Sequence, residues 1–142
     1  MNNSILHPEV QKYIEEYLNS DISKILFKGT SFPNVTTQEI VEQIVAKKKC
    51  KEKLPSWFST KNIYYPNKLN IEQTSSEITA KYKANLVSGN SIIDLTGGFG
   101  VDSYSFSKKF SKVIHCEIDK NLSAITNHNF EVMKTSNIKT IA

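Results

Sequence analysis

Two stretches decide the fold: Ser91–Gly100, SIIDLTGGFG, and Lys112–Asp119, KVIHCEID. Ser91 to Leu95 is an apolar run too short for a helix and reads as a buried strand. Thr96 to Gly100 is a glycine-rich turn. Residues 101–110, VDSYSFSKKF, read as a helix in which Tyr104, Phe106 and Phe110 pack, although three serines weaken its propensity. Lys112 to Ile118 forms a second strand, Lys120 to Met133 a second helix, and IKTIA opens a third strand. This β-α-β-α-β alternation predicts an α/β fold built on the first half of a doubly wound parallel sheet.

Working outward, the upstream residues read as helical. In PEVQKYIEEYLN (8–19), Pro8 suits a first helical turn, and Val10, Tyr13, Ile14, Tyr17 and Leu18 form one apolar stripe. Ser20 or Asp21 caps a short helix that Gly29 stops. Thr36 opens T-T-Q-E, a capping-box pattern, before a helix that puts Ile40, Val41, Ile44 and Val45 on one face and ends no later than Pro55. Residues 54–71 lack a period but hold Trp57, Tyr64 and Tyr65, so they read as a packed connector. A further helix follows Ser75 or Ser76, with Ile78, Tyr82 and Leu86 as its apolar positions and Gly89 as its end. The expected organisation is a helical region over 1–70 and a partial nucleoside-binding domain over 71–142.

Composition limits the function classes. The 142 residues are 39% apolar and 23% charged, a balance that supports a packed core. No apolar run spans a bilayer, the N-terminus lacks a signal-peptide pattern, and Cys50 and Cys116 make neither a disulfide framework nor a metal set. A reduced, cytoplasmic protein without membrane contact or metal is the expectation. Lysine supplies all 18 basic side chains, with 13 Asn and 16 Ile, a bias of A/T-rich codons rather than of chemistry. The net charge of +4 lies in Lys47–Lys53, KKKCKEK. That patch reads as a solvated helix end before it reads as an RNA contact.

The chemistry lies around the glycine turn. Asp94 ends the first strand, Gly97, Gly98 and Gly100 follow, and Glu117 ends the second strand 23 positions after Asp94. Glycines admit a ligand that a Cβ would exclude, the helix beyond offers free N–H groups, and a strand-end carboxylate can accept ribose hydroxyls. A dinucleotide site wants G-x-G-x-x-G, but Ser103 stands at the third glycine position. An acid before the turn repels a pyrophosphate and suits an ammonium group. Charge therefore favours S-adenosylmethionine over NAD. An ordinary strand-to-helix turn is the competing reading for Asp94 and Gly98, a strand-end acid for Glu117, and a first-turn acid for Asp102. His115 and Cys116 read as core packing, as do Trp57, Tyr64 and Tyr65; His7 and His128 carry no signal.

DLTGGFG resembles the first motif of class I S-adenosylmethionine-dependent methyltransferases, D/E-x-G-x-G-x-G, and CEID resembles their second. Thr96 in place of the first glycine is similar to the guanine-N2 RNA methyltransferases, including the trimethylguanosine cap synthase group and a bacterial 16S rRNA group. EQTSSEITAKYKANL (72–86) resembles the E-Q-x-S-S-E-x-T-A-x-Y-K-A stretch of the Bacteroidetes methyltransferases that carry a THUMP-like domain, and KLPSW and YYP are similar to that group too. The resemblance covers roughly residues 40–142. It implies a Rossmann-like domain, methyl transfer to RNA with guanine amine as acceptor, and cofactor contacts from Asp94, Thr96, Gly97, Gly98, Gly100, Glu117 and Ile118. The family's acceptor motif, Asp/Asn-Pro-Pro-aromatic, has no counterpart, since Pro8, Pro33, Pro55 and Pro66 all precede the turn. The expectation is therefore an N-terminal fragment with no catalytic residue of its own, inactive alone, that pairs with a complementary downstream fragment or with itself. A non-enzymatic RNA- or partner-binding fragment is the alternative.

Overall fold

The computed structural model describes residues 1–142. A 3-10 turn at Asn3–Leu6 leads into α1 (Pro8–Glu16), α2 (Ile22–Lys28) and α3 (Thr37–Lys53). Two short helices interrupt the stretch read as an aperiodic connector, α4 (Pro55–Ser59) inside it and α5 (Lys68–Gln73) running two residues past its end, and α6 (Glu77–Asn85) follows. The remainder alternates as β1 (Ser91–Asp94), α7 (Val101–Ser107), β2 (Lys112–Cys116), α8 (Lys120–Val132) and β3 (Ile138–Ile141). The strands are parallel in the order β1-β2-β3, with Asp94 opposite His115 and His115 opposite Thr140.

Local chemistry explains the element ends. Thr36 accepts the Glu39 N–H at 3.2 Å while Glu39 Oε2 accepts the Thr36 N–H at 2.8 Å, closing the capping box that starts α3. That bond, with one from Asn2, holds the Glu39 carboxyl below its ordinary range. Gly29 ends α2 at φ +72°, and Ser76, rather than Ser75, caps α6. α7 stops at Ser107 instead of running to Phe110.

One apolar core runs through both regions, from Ile5 and Val10 through Ile40, Ile44 and Trp57 to Phe99, Val101 and Ile125. Two buried amides join the regions at the connector. Gln43 on α3 accepts the Tyr65 N–H at 3.0 Å and donates to the Tyr65 carbonyl. Asn129 on α8 accepts the Tyr64 N–H at 2.9 Å and donates to the Tyr64 carbonyl at 2.9 Å. The connector backbone, which no strand or helix partner reaches, is thereby satisfied from both sides.

Two patterns differ from the sequence reading. On α6 the apolar triplet faces outward, with Ile78 84% and Tyr82 64% exposed, while Ala80 and Ala84 are buried. The small side chains allow close packing, and so they take the inner face. The basic patch is also not uniform. Lys47 is buried, paired with Glu15 and placed over the Phe58 ring; Lys49 pairs with Glu72, and Lys53 donates to the carbonyls of Ile71 and Glu72. These lysines tie α3 to α1 and to the α5 segment, which leaves Lys48 and Lys51 as its solvated cations.

α7 and α8 cover one face of the sheet, where Ser103 and Phe130 meet His115. By strand alternation the other face carries Ile93, Ile114, Cys116 and Ile141, and β1 forms an edge with Leu95 77% exposed. No helix is long and apolar enough to cross a membrane. This surface predicts self-association of the 142-residue chain, measurable by light scattering, and Ile93→Lys with Leu95→Lys should shift it toward monomer. Asn129→Ala should cost about 2–4 kcal/mol in urea unfolding, because it strands the N–H and carbonyl of Tyr64 in the core.

Candidate functional site

The glycine turn is built at the carboxyl ends of β1 and β2. The Gly97 N–H donates to the Cys116 carbonyl at 2.9 Å, the Gly100 N–H to the Gly97 carbonyl at 2.8 Å, and Thr126 Oγ1 to the Gly98 carbonyl at 3.0 Å. The three glycines do different work. A Cβ on Gly97 would stand 2.0 Å from His115 Cε1, and one on Gly100 would stand 2.6 Å from Phe130 and Thr126. Both are required by packing beneath the turn. A Cβ on Gly98, at φ +54°, would meet only the Thr96 carbonyl oxygen at 3.9 Å, an ordinary contact, so it is the left-handed backbone rather than crowding that favours glycine there. Gly97 and Gly98 both present bare backbone to the crevice over the turn, a cradle a ligand can enter.

Each candidate acid is already engaged by the protein. Asp94 Oδ1 accepts the Thr96 N–H at 3.2 Å and Oδ2 accepts the Ser103 hydroxyl at 2.7 Å. Glu117, just past the end of β2, accepts the Gly98 N–H at 3.0 Å and the Asp119 N–H at 2.8 Å. A carboxylate offers about four acceptor sites, so each retains capacity for a ligand. Ile118 is 95% exposed beside them. Asp119 caps α8 through the N–H groups of Asn121 and Leu122.

A crevice of about 310 Å³ lies over the turn, walled by Thr96 through Phe99 and by Gln73, Ser75, Lys83 and Asp102. Asp94 and Glu117 accept backbone N–H groups of the turn at Thr96 and Gly98 rather than forming these walls. Sequence reasoning missed Ser75, Lys83 and the larger part of Asp102. Asp102 Oδ2 accepts Ser75 Oγ at 3.0 Å and Lys83 Nζ at 2.7 Å, and Lys83 also donates to Ser75 at 2.8 Å. The available signal was spacing: Ser75 and Lys83 both fall in the stretch EQTSSEITAKYKANL that precedes the turn. This stretch is therefore a wall of the crevice as well as a helix start.

Over 92% of its residues the chain superposes, with a TM-score of 0.77 and 26% identity, on a crystal structure from Porphyromonas gingivalis W83 that is provisionally described as a methyltransferase. The fold is methyltransferase-like. The chain spans 33% of that protein's length. No protein-family model and no curated protein matches the chain.

The residues present suit S-adenosylmethionine on their own chemistry. Asp94, Asp102 and Glu117 place three carboxylates around the turn, with Lys83 as the cation among the crevice walls. That balance opposes a pyrophosphate and accommodates a zwitterionic amino acid. No group of three or more His, Cys, Asp or Glu is arranged to hold a metal, and burial on α3 pushes the Cys50 thiol up to about 12.

His115, fully buried, has a lowered pKa because burial disfavours its charged form; Asp94 and Glu117 oppose that shift without cancelling it. The unfolded chain therefore takes up a proton near the ordinary value of 6.5 while the folded chain does not. Stability should fall as pH drops below that value and rise as it returns. Urea unfolding at about pH 7.5 and about pH 5 checks this, with a shallower acid loss expected for His115→Asn, which carries no titrating ring.

Proposed function

We propose that this chain supplies the S-adenosylmethionine-binding part of a methyltransferase acting on RNA, with a guanine amine as the acceptor. The observation that carries the binding assignment is the convergence of Asp94, the bare Gly98 backbone and Glu117 at the carboxyl ends of adjacent parallel strands. The fold likeness to a methyltransferase supports the reaction class, and the resemblance of DLTGGFG and EQTSSEITAKYKANL supports the RNA acceptor. On this reading residues 71–142 are the first half of a Rossmann-like domain and residues 1–70 are a helical region packed on it.

In this assignment Asp94 takes the ammonium of the methionine moiety, Glu117 the ribose hydroxyls, and Thr96, Gly97, Gly98 and Gly100 give the backbone close approach. Ile118 offers an apolar surface beside Glu117. Lys83 lines the crevice over the turn, where it is paired with Asp102 and Ser75, and provides positive charge for a carboxylate there. When bound, the cofactor supplies a methyl group on a good leaving group. The protein's part is to hold that group in line with an amine and to exclude water. The amine-holding residues of this reading lie outside the motifs found here, and the chain alone should give background methyl transfer to bulk RNA.

Calorimetric titration with S-adenosylmethionine tests the binding assignment. Asp94→Ala removes the ammonium anchor and Glu117→Ala the ribose acceptor. A charge-assisted hydrogen bond contributes about 1.5–3 kcal/mol, so each change should weaken binding at least about tenfold. Equal affinity in the wild type and both variants would overturn the site.

A further inference from the structure

We infer that Ser103 and His115 are positioning residues that fix the Asp94 carboxylate, and that His115 does so as its Nδ1–H tautomer. This rests on the reading of Asp94 as the ammonium anchor. Ser103 Oγ lies 2.7 Å from Asp94 Oδ2 and 2.9 Å from His115 Nδ1. Ser103 and His115 are both fully buried.

The tautomer follows from counting protons. A serine hydroxyl has one, and an ionised carboxylate only accepts. The Ser103 proton therefore goes to Asp94. The serine oxygen then faces His115 Nδ1 with lone pairs, so Nδ1 must carry hydrogen and donate. A neutral imidazole has one N–H, which leaves Nε2 as a bare acceptor. Nε2 is indeed buried with no hydrogen-bond partner.

That orphaned nitrogen is the reason to assign a role. The ring packs edge-on against Phe130 and under Gly97. A Phe ring could fill such a place without stranding an acceptor. What it could not do is donate to Ser103. The relay His115→Ser103→Asp94 runs from β2 through α7 to the end of β1, and it leaves the Ser103 hydroxyl a single orientation. Asp94 Oδ2 is then held by a donor that cannot rotate away, while Thr96 N–H holds Oδ1. With both oxygens fixed, the remaining lone pairs of Asp94 keep one direction, which is what an anchor for an ammonium group requires.

Nitrogen-15 NMR of the histidine rings and calorimetry on the whole chain test the relay. The wild type should show His115 as the Nδ1–H tautomer, and Ser103→Ala should release that preference. S-adenosylmethionine affinity should fall about tenfold in Ser103→Ala and in His115→Leu, and be kept in His115→Asn, whose amide N–H replaces Nδ1–H. In the Asp94→Ala background, Ser103→Ala should have no further effect, because it acts only through Asp94. 5′-Methylthioadenosine, which lacks the ammonium group, should bind the wild type and Ser103→Ala equally. A purely structural Ser103 would weaken both ligands alike and add to Asp94→Ala. An Nε2–H ring in the wild type overturns the relay. No affinity of the wild type for S-adenosylmethionine overturns the cofactor reading, and the positioning role with it, whatever the tautomer.

Discussion

Everything in this structure hangs on two side-chain amides that take hold of four backbone groups of the connector. The Tyr64–Tyr65 backbone lies between a helix of the N-terminal region and a helix of the sheet region, buried and without a strand of its own. Buried peptide groups left unpaired cost more than most side-chain contacts return. Gln43 and Asn129 meet that requirement from opposite sides, each as donor and acceptor at once. An amide carries its donor and its acceptor on separate atoms, so one side chain can meet both the N–H and the carbonyl of a single residue. Because the two amides belong to α3 and α8, the connector cannot be satisfied unless both helices are in place. The helical region and the sheet region are therefore coupled by hydrogen bonding as well as by apolar packing.

The glycine turn inherits this rigidity. α8, which carries Asn129, also carries Thr126 and Phe130, whose side chains fill the space under Gly100, and Thr126 Oγ1 donates to the Gly98 carbonyl. His115 fills the space under Gly97. The turn is therefore a thin backbone layer lying on a closely packed floor, and its conformation is set from below before any ligand arrives. Such preorganisation is how a binding loop avoids paying ordering entropy at the moment of binding. Lys83, Ser75 and Asp102 form a second support at the side of the crevice.

The strand–helix order, the capping box of α3 and the position of the turn were legible because each rests on contacts between residues near in sequence: Thr36 with Glu39, or Gly29 at a helix end. The candidate acids were legible for the same reason, since strand ends and glycine turns punctuate the chain. What could not be read depends on partners far along it. Ser103 looked like a weak helix former, yet its hydroxyl lies between Asp94 at the end of β1 and a histidine in the next strand. Lys47 looked like one solvated cation in a run, yet Glu15 on another helix claims it. The triplet Ile78, Tyr82, Leu86 has core spacing, but Ala80 and Ala84 win the inner face because helices approach closest over small residues. α4 and α5 escaped notice because each is too short to show a period.

Trp57 carries a consequence of a different kind. It is the chain's one tryptophan, 1% exposed, with its ring 6.1 Å from Phe99 in the glycine turn and 4.9 Å, edge-on, from Tyr104 on α7. Its indole N–H is buried without an acceptor. An indole in so dry a setting emits at short wavelength, and its emission shifts when a dipole or a water molecule reaches it. The fold has thus placed a single optical probe against the underside of the turn. Any event that moves Phe99 changes the surroundings of that one chromophore, so the state of the crevice can be followed in the unlabelled protein by light alone.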